Sequence, residues 1–190
     1  METQCLPNLV GVIILAEDEN IFKDHLIAIG KLNYARGKRP DVDCIMCAVR
    51  DDNPTVTSLK IYTEDLLFIC LNLYPYNPGH LMVIPMRHVE DFQDLTDDER
   101  NRLFEVVIMC QNMLQELFHP TGFNVGYNQG KYSGASIKHI HVHVVPRYNS
   151  ELGFIDIVGK TKIILESIDD VKNKILPKIS QFIKHEKTKS

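Results

Sequence analysis

Three histidines, His139, His141 and His143, alternate with Ile140, Val142 and Val144. In extended backbone, successive side chains point to opposite faces, so this spacing sends three imidazoles one way and three aliphatic side chains the other. Three of the chain's eight histidines fall on that one short face. Simple solvation explains this poorly, whereas polar groups that converge mark a site. Two chemistries suit the cluster. Three imidazoles can hold a zinc ion and leave an open position for water. Alternatively, a single neutral imidazole can attack phosphorus near neutral pH without an activated hydroxyl, and it leaves readily from the phosphoramidate it forms.

Other residues of chemical interest lie further upstream. Cys44 and Cys47 form a C-x-x-C pair, and the total of five cysteines is odd. A chain this long folds without disulfide staples, so a metal or redox pair is the better reading than a disulfide framework. Two thiolates suit one tetrahedral ion only if further ligands join them. Asn72 stands in an otherwise apolar run, where an amide without a partner is costly; a ligand-facing role follows. His80 comes directly after Gly79 and is compatible with either a structural or a supporting role.

These residues need elements to position them. The run Leu66–Leu73 reads as a buried strand, and His80–Met86 reads as its partner across a turn containing Pro75, Pro78 and Gly79. Thr96-Asp97-Asp98-Glu99 has the spacing of a capping box. Leu103, Val106, Val107, Cys110, Leu114, Leu117 and Phe118 then mark one face of a helix that should end near His119-Pro120. Residues 122–127 form a short expected strand and residues 128–136 a polar loop. Residues 138–145 form a strictly alternating expected strand. Residues 167–184 show the spacing of an amphipathic helix that Pro177 should kink or interrupt. Ahead of all these, Ile21, Phe22, Leu26 and Ile29 recur at helical spacing in an N-terminal extension with a basic segment at Arg36–Pro40.

The 190 residues are 44% hydrophobic and 24% charged, the profile of one globular core. A net charge of -4 argues against nucleic acid or an anionic membrane as partner, so a polyanionic substrate would need locally placed donors. The apolar stretch Leu9–Ala16 is too short to span a bilayer and lacks a basic flank, so a cytoplasmic location is expected.

The sequence resembles the histidine triad (HIT) family over residues 44–148, through CIMC, LNLYPYNPGHLMVIP and HIHVHVVPR, with GFNVGYN preceding the last of these. It looks most like the branch of diadenosine polyphosphate phosphorylases and hydrolases. The resemblance implies an α+β HIT-like fold with an antiparallel sheet of about five strands, a long packed helix and a C-terminal helix. Three regions follow: an extension at 1–43, the HIT domain at 44–150 and a helical tail at 151–190. By resemblance, His141 attacks the α-phosphorus, His143 assists the leaving group and His80 supports the triad. Asn72 would hold the ribose, while Asn128, Gly134, Ser136 and His143 would meet phosphate oxygens.

The same resemblance implies a structural zinc ion on Cys44, Cys47, His88 and His139, with a hydrogen bond to His80 as the alternative role for His139. It also implies a homodimer, a nucleotide substrate and no organic cofactor. Many relatives carry Gln where this chain has Ala135, which bears on rate and substrate preference but not on the nucleophile. The expected activity is hydrolysis or transfer through a covalent nucleotidyl-histidine. Its alternatives are phosphorolysis of diadenosine polyphosphates, a non-catalytic nucleotide-binding module and a metallohydrolase with zinc on the triad.

Overall fold

A computed structural model describes residues 39–149 and 166–187. The helix expected within the N-terminal extension, and Cys5, lie outside these residues. Helix α1, Ile45–Arg50, is capped by Cys44, whose sulfur accepts the Cys47 N–H at 3.5 Å. Five strands follow: β1 Lys60–Thr63, β2 Leu67–Leu71, β3 Leu81–Pro85, β4 Gly122–Tyr127 and β5 Val142–Arg147. They make one antiparallel sheet in the order β1-β2-β3-β5-β4.

The expected hairpin is β2–β3, in register from Leu67 opposite Pro85 to Leu71 opposite Leu81. Every residue of both strands is buried. The cause is that both faces of this part of the sheet are covered. Leu67, Ile69 and Leu71 belong to the main core, whereas Phe68 and Cys70 pack with Met46 and Val49 of α1. A strand covered on both faces reads as an unbroken apolar run.

Helix α2, Asp97–Phe118, closes the main core. Its capping box forms as the sequence requires: Thr96 Oγ1 accepts the Glu99 N–H at 3.2 Å, and Glu99 Oε2 accepts the Thr96 N–H at 2.8 Å. The helix stops at His119, whose φ of 49° is left-handed, immediately before Pro120. Leu103, Val106, Val107, Cys110 and Leu114 are buried against β3 and β5. Pro177 interrupts the tail as expected, separating two helices: α3 runs Ile168–Ile175 and α4 runs Ile179–Lys187. Their residues Val171, Ile175, Ile179 and Ile183 join the same core as α2.

Two departures from the sequence expectation have physical causes. Strand β1 and helix α1 were not anticipated, because each is short and neither shows a clean apolar period. The triad strand begins at Val142, not at Lys138. Continuing the β3–β5 register would set Ile140 opposite Pro85, which has no N–H to donate. The Ile140 N–H instead goes to the Val89 carbonyl at 2.7 Å. His139 and His141 therefore sit just ahead of the strand that carries His143, with His139 at the end of a bend over residues 136–139.

Candidate functional site

The period of two survives outside the ladder. Ile140, Val142 and Val144 enter the core beneath α2, which leaves the three imidazoles to the opposite side. His141 is 5% exposed, and its Nδ1 lies 2.8 Å from the His139 carbonyl oxygen. A carbonyl can only accept, so Nδ1 carries the proton and the lone pair sits on Nε2; the tautomer is assigned from its partner. Burial pushes the pKa of His141 down, with the carbonyl bond opposing the shift. A neutral imidazole with a free Nε2 lone pair is the form a nucleophile needs.

A second chain of contacts fixes His143. The Tyr76 amide N–H donates to His80 Nδ1 at 3.2 Å, so this nitrogen is an acceptor. The proton of neutral His80 is then on Nε2, which lies 3.0 Å from His143 Nδ1 and donates to it. His143 in turn carries its proton on Nε2, the correct state for protonating a leaving group. Asn72 Nδ2 also approaches His80 Nε2, but at 3.5 Å it does not displace the shorter bond. His80 is 1% exposed and its ring stacks with that of Tyr76. The hydrogen bond considered between His80 and His139 does not form, because His143 occupies that position on His80.

One pocket brings together Asn72, Asn128, Gly134, Ser136, His141 and His143, with Ile45, Met46, Val49 and Cys70 as its apolar wall. His80 lies behind it. Asn72 is not within β2 but follows its last residue, and its Oδ1 accepts the Tyr74 N–H at 2.8 Å. Its cost of burial is thus met partly by a local turn, and its NH2 lies 3.5 Å from both Met82 Sδ and His80 Nε2. Gly134 adopts a left-handed φ of 85° after the single 3-10 turn Lys131–Ser133, and Ser136 is exposed in the same loop. The Ser136 carbonyl accepts a hydrogen bond from Arg39 at 3.1 Å, so the basic segment reaches the back of this loop.

The third histidine faces elsewhere. His139 is fully buried, and its Nε2 donates to the Pro85 carbonyl at 3.1 Å. Its lone pair on Nδ1 therefore points at Cys44 Sγ, 3.6 Å away, and at Cys47 Sγ, 3.5 Å away. His88 Nδ1 lies 3.3 Å from Cys47 Sγ, and all four donor atoms lie within 4.8 Å of one another. Zinc bonds of about 2.3 Å to sulfur and about 2.0–2.1 Å to nitrogen give a tetrahedron with sulfur–nitrogen edges of about 3.5 Å. The three observed edges match that length, so the residues fit the ion.

The protonation chemistry agrees with the geometry. Burial pushes the Cys47 thiol up to about 11, with the neighbouring Cys44 adding to the shift. Burial pushes His139 down to about 4, with His88 contributing. Two crowded sulfurs facing the neutral imidazole of His139, with His88 Nδ1 3.3 Å from Cys47 Sγ, are a donor set that a dication satisfies. Among the described residues this is the one cluster of metal-ligand type. The three triad imidazoles share no common point, because His139 faces the sulfurs and His143 Nδ1 faces His80.

Several residues of the site were not singled out in the sequence. Tyr76 and Asn77 contact His80, Tyr148 bonds the turn before it at the Pro78 carbonyl, and α1 supplies the pocket's wall. In the Asn77-Pro78-Gly79-His80 run the sequence pointed to a turn and to His80, but not to the part Asn77 plays in holding that turn.

The family model described as HIT domain matches residues 53–150. A protein named AP-4-A phosphorylase from Mycobacterium tuberculosis is 44% identical over 139 residues, covering 65% of this chain and 71% of that protein. The asymmetrical bis(5'-nucleosyl)-tetraphosphatase of Schizosaccharomyces pombe is 35% identical over 103 residues, covering 54% of this chain and 57% of that one. Among solved structures, a Zn-bound histidine triad family protein from Mycobacterium smegmatis superposes with a TM-score of 0.62 at 24% identity, over 75% of this chain and 97% of that one. With the alternating histidines, the buried hairpin and the five-stranded sheet, these matches make the chain a member of the histidine triad (HIT) family.

Proposed function

We propose that the chain is a nucleotidyl hydrolase or transferase that cleaves phosphoanhydride bonds of dinucleoside polyphosphates, or related nucleotide conjugates, through a nucleotidyl group on His141. The observation that carries this reading is the 2.8 Å bond from His141 Nδ1 to the His139 carbonyl, which leaves Nε2 unprotonated at the edge of the pocket. In the first step Nε2 bonds to the α-phosphorus. The bridging P–O bond breaks, and the outgoing phosphate or nucleotide takes the His143 Nε2 proton as its charge develops. In the second step water or inorganic phosphate attacks the same phosphorus, the N–P bond breaks and the imidazole is restored. The products are a nucleoside monophosphate with water and a nucleoside diphosphate with phosphate.

The pocket's residues divide this work. The apolar wall from α1 and Cys70 suits a nucleobase, Asn72 lies where a ribose can be held, and the loop bearing Asn128, Gly134 and Ser136 offers backbone N–H groups and a hydroxyl to phosphate oxygens. Phosphorolysis is the second reading, favoured by the 44% identity to a protein named AP-4-A phosphorylase. The test is to supply diadenosine polyphosphates with and without inorganic phosphate and to resolve the products. With diadenosine tetraphosphate, ATP leaves in either case: ADP formed only when phosphate is present means phosphorolysis, and AMP formed without phosphate means hydrolysis. Tight binding with no turnover would overturn the enzymatic reading in favour of a nucleotide-binding module.

Three further assignments belong to this reading. Cys44, Cys47, His88 and His139 would hold a structural zinc ion, which would tie α1 to the segment leading into the nucleophile and take no part in the reaction. A homodimer is supported by Phe104 and Ile108, 57% and 53% exposed on α2, and by the edge strand β4 with Val125 and Tyr127 at 44% and 45%. The catalytic unit is residues 44–150, with 1–43 as an extension and 151–190 as a tail. A cytoplasmic location, with neither a membrane nor nucleic acid as partner, belongs to the same reading; no helix of the described residues is long and apolar enough to cross a membrane.

A further inference from the structure

We infer that Asn77, together with Tyr148, is a positioning residue for the leaving-group proton: it holds the turn whose backbone amide sets the tautomer of His80 and, through it, that of His143. The inference deepens the proposed nucleotidyl-transfer reading and rests on it.

The argument starts from an unusual division of labour. The group that dictates the tautomer of His80 is not a side chain but the Tyr76 N–H, 3.2 Å from Nδ1. A backbone donor works only as well as the turn that aims it. Two residues of this turn, Pro75 and Pro78, have no N–H to give. Its internal bond runs from the His80 N–H to the Asn77 carbonyl at 3.1 Å. Two side-chain bonds anchor it from outside. Asn77, 2% exposed, donates from Nδ2 to the Pro146 carbonyl at 2.7 Å. Tyr148 Oη donates to the Pro78 carbonyl at 2.9 Å.

Both anchors reach the same piece of chain. Pro146 is in β5, the strand that carries His143 three residues earlier, and Tyr148 directly follows that strand's last residue. The turn that fixes one end of the His80–His143 pair is therefore bolted to the element that carries the other end. The 3.0 Å separation of the two imidazoles is then set by one rigid unit, not by independent loops. Loosening the turn would let His80 exchange tautomers, and a His80 protonated on Nδ1 would draw the proton of His143 onto its own Nδ1. The Nε2 facing the substrate would then have no proton to give, while His141 and its carbonyl partner would be untouched.

This predicts a loss that depends on the leaving group, which a merely structural role would not produce. Two AMP conjugates separate the cases: an alkylamidate, whose amine must be protonated to depart, and a 4-nitrophenyl ester, whose phenolate leaves without a proton. For Asn77→Ser, kcat on the amidate should fall about ten- to a hundredfold, part of the 10²- to 10⁴-fold that general acids contribute. On the nitrophenyl ester it should fall about threefold or less. Tyr148→Phe keeps the ring and removes one anchor, so it tests the idea even if Asn77 variants fold poorly, and it should show the same selectivity at smaller size. Equal losses on the two substrates, or no loss on the amidate in either variant, would overturn the inference. A wild-type chain that turns over neither conjugate nor diadenosine tetraphosphate would overturn the nucleotidyl-transfer reading itself.

Discussion

Gly79→Ala tests how tightly the turn before His80 is built. Gly79 has φ +84°, and a Cβ there would lie 3.0 Å from Leu114 Cδ2 and 3.3 Å from Pro146 Cγ. Holding an alanine in the left-handed region costs about 1–2 kcal/mol. The close contact adds about 1–3 kcal/mol, because Leu114 is fully buried in α2 and has little room to yield. Reduced freedom of the unfolded chain returns about 0.4–1 kcal/mol. The net loss spans about 1–5 kcal/mol and centres near about 3 kcal/mol, equivalent at that centre to a fall of about 6–12 °C in melting midpoint for a chain of this size. Thermal unfolding followed by circular dichroism would measure it, with Gly122→Ala as the control, since a Cβ at Gly122 meets nothing within 4 Å. The same variant should lose turnover, because its next residue, His80, would shift relative to His143. A Gly79→Ala midpoint within about 2 °C of wild type, or an equal fall in the control, would refute the reasoning.

Wild-type protein should carry about one zinc per chain, and chelation or Cys47→Ser should lower the melting midpoint by at least about 10 °C while initial turnover falls much less, since a structural zinc contributes to folding. Metal analysis that finds no zinc, or turnover lost with the midpoint unchanged, would contradict the assignment. The Arg87 guanidinium, 2.8 Å from Glu99, holds the Glu99 carboxyl below the usual carboxylate range. That pair stabilises the fold above the unfolded carboxyl's pKa, and the stability is lost as pH falls through the lowered folded value. The deficit of Glu99→Gln in denaturant titrations should thus be largest near neutral pH and vanish in acid; a pH-independent deficit would count against it. Phe104→Asp should convert a dimer to monomer in sedimentation, whereas an unchanged mass would remove α2 from the interface.

The sequence made the chemistry legible where local rules decide the outcome. Alternation set three imidazoles against Ile140, Val142 and Val144, the capping box placed the start of α2, and Pro177 broke the tail. Long-range effects were harder to see. The ladder starts at Val142 because the partner strand ends on Pro85, a fact about register that neither segment shows alone. Asn72 read as an amide in need of a ligand, yet it lies past the strand and bonds the Tyr74 amide. Strand β1 has four residues of mixed burial and owes its place to pairing with β2. The roles of Tyr76, Asn77 and Tyr148 depend on a backbone amide and two carbonyls, groups every residue carries and no motif records.

The central claim concerns one bond, between His141 Nε2 and phosphorus. Mixing the protein with a diadenosine polyphosphate, quenching within a turnover in alkali, where a phosphoramidate survives, and mapping the adduct by mass spectrometry addresses it directly. One adenylyl group on the peptide at His141, absent from His141→Asn, is the predicted result. An adduct on Ser136 or His143, or steady turnover with no adduct at any time, would contradict it.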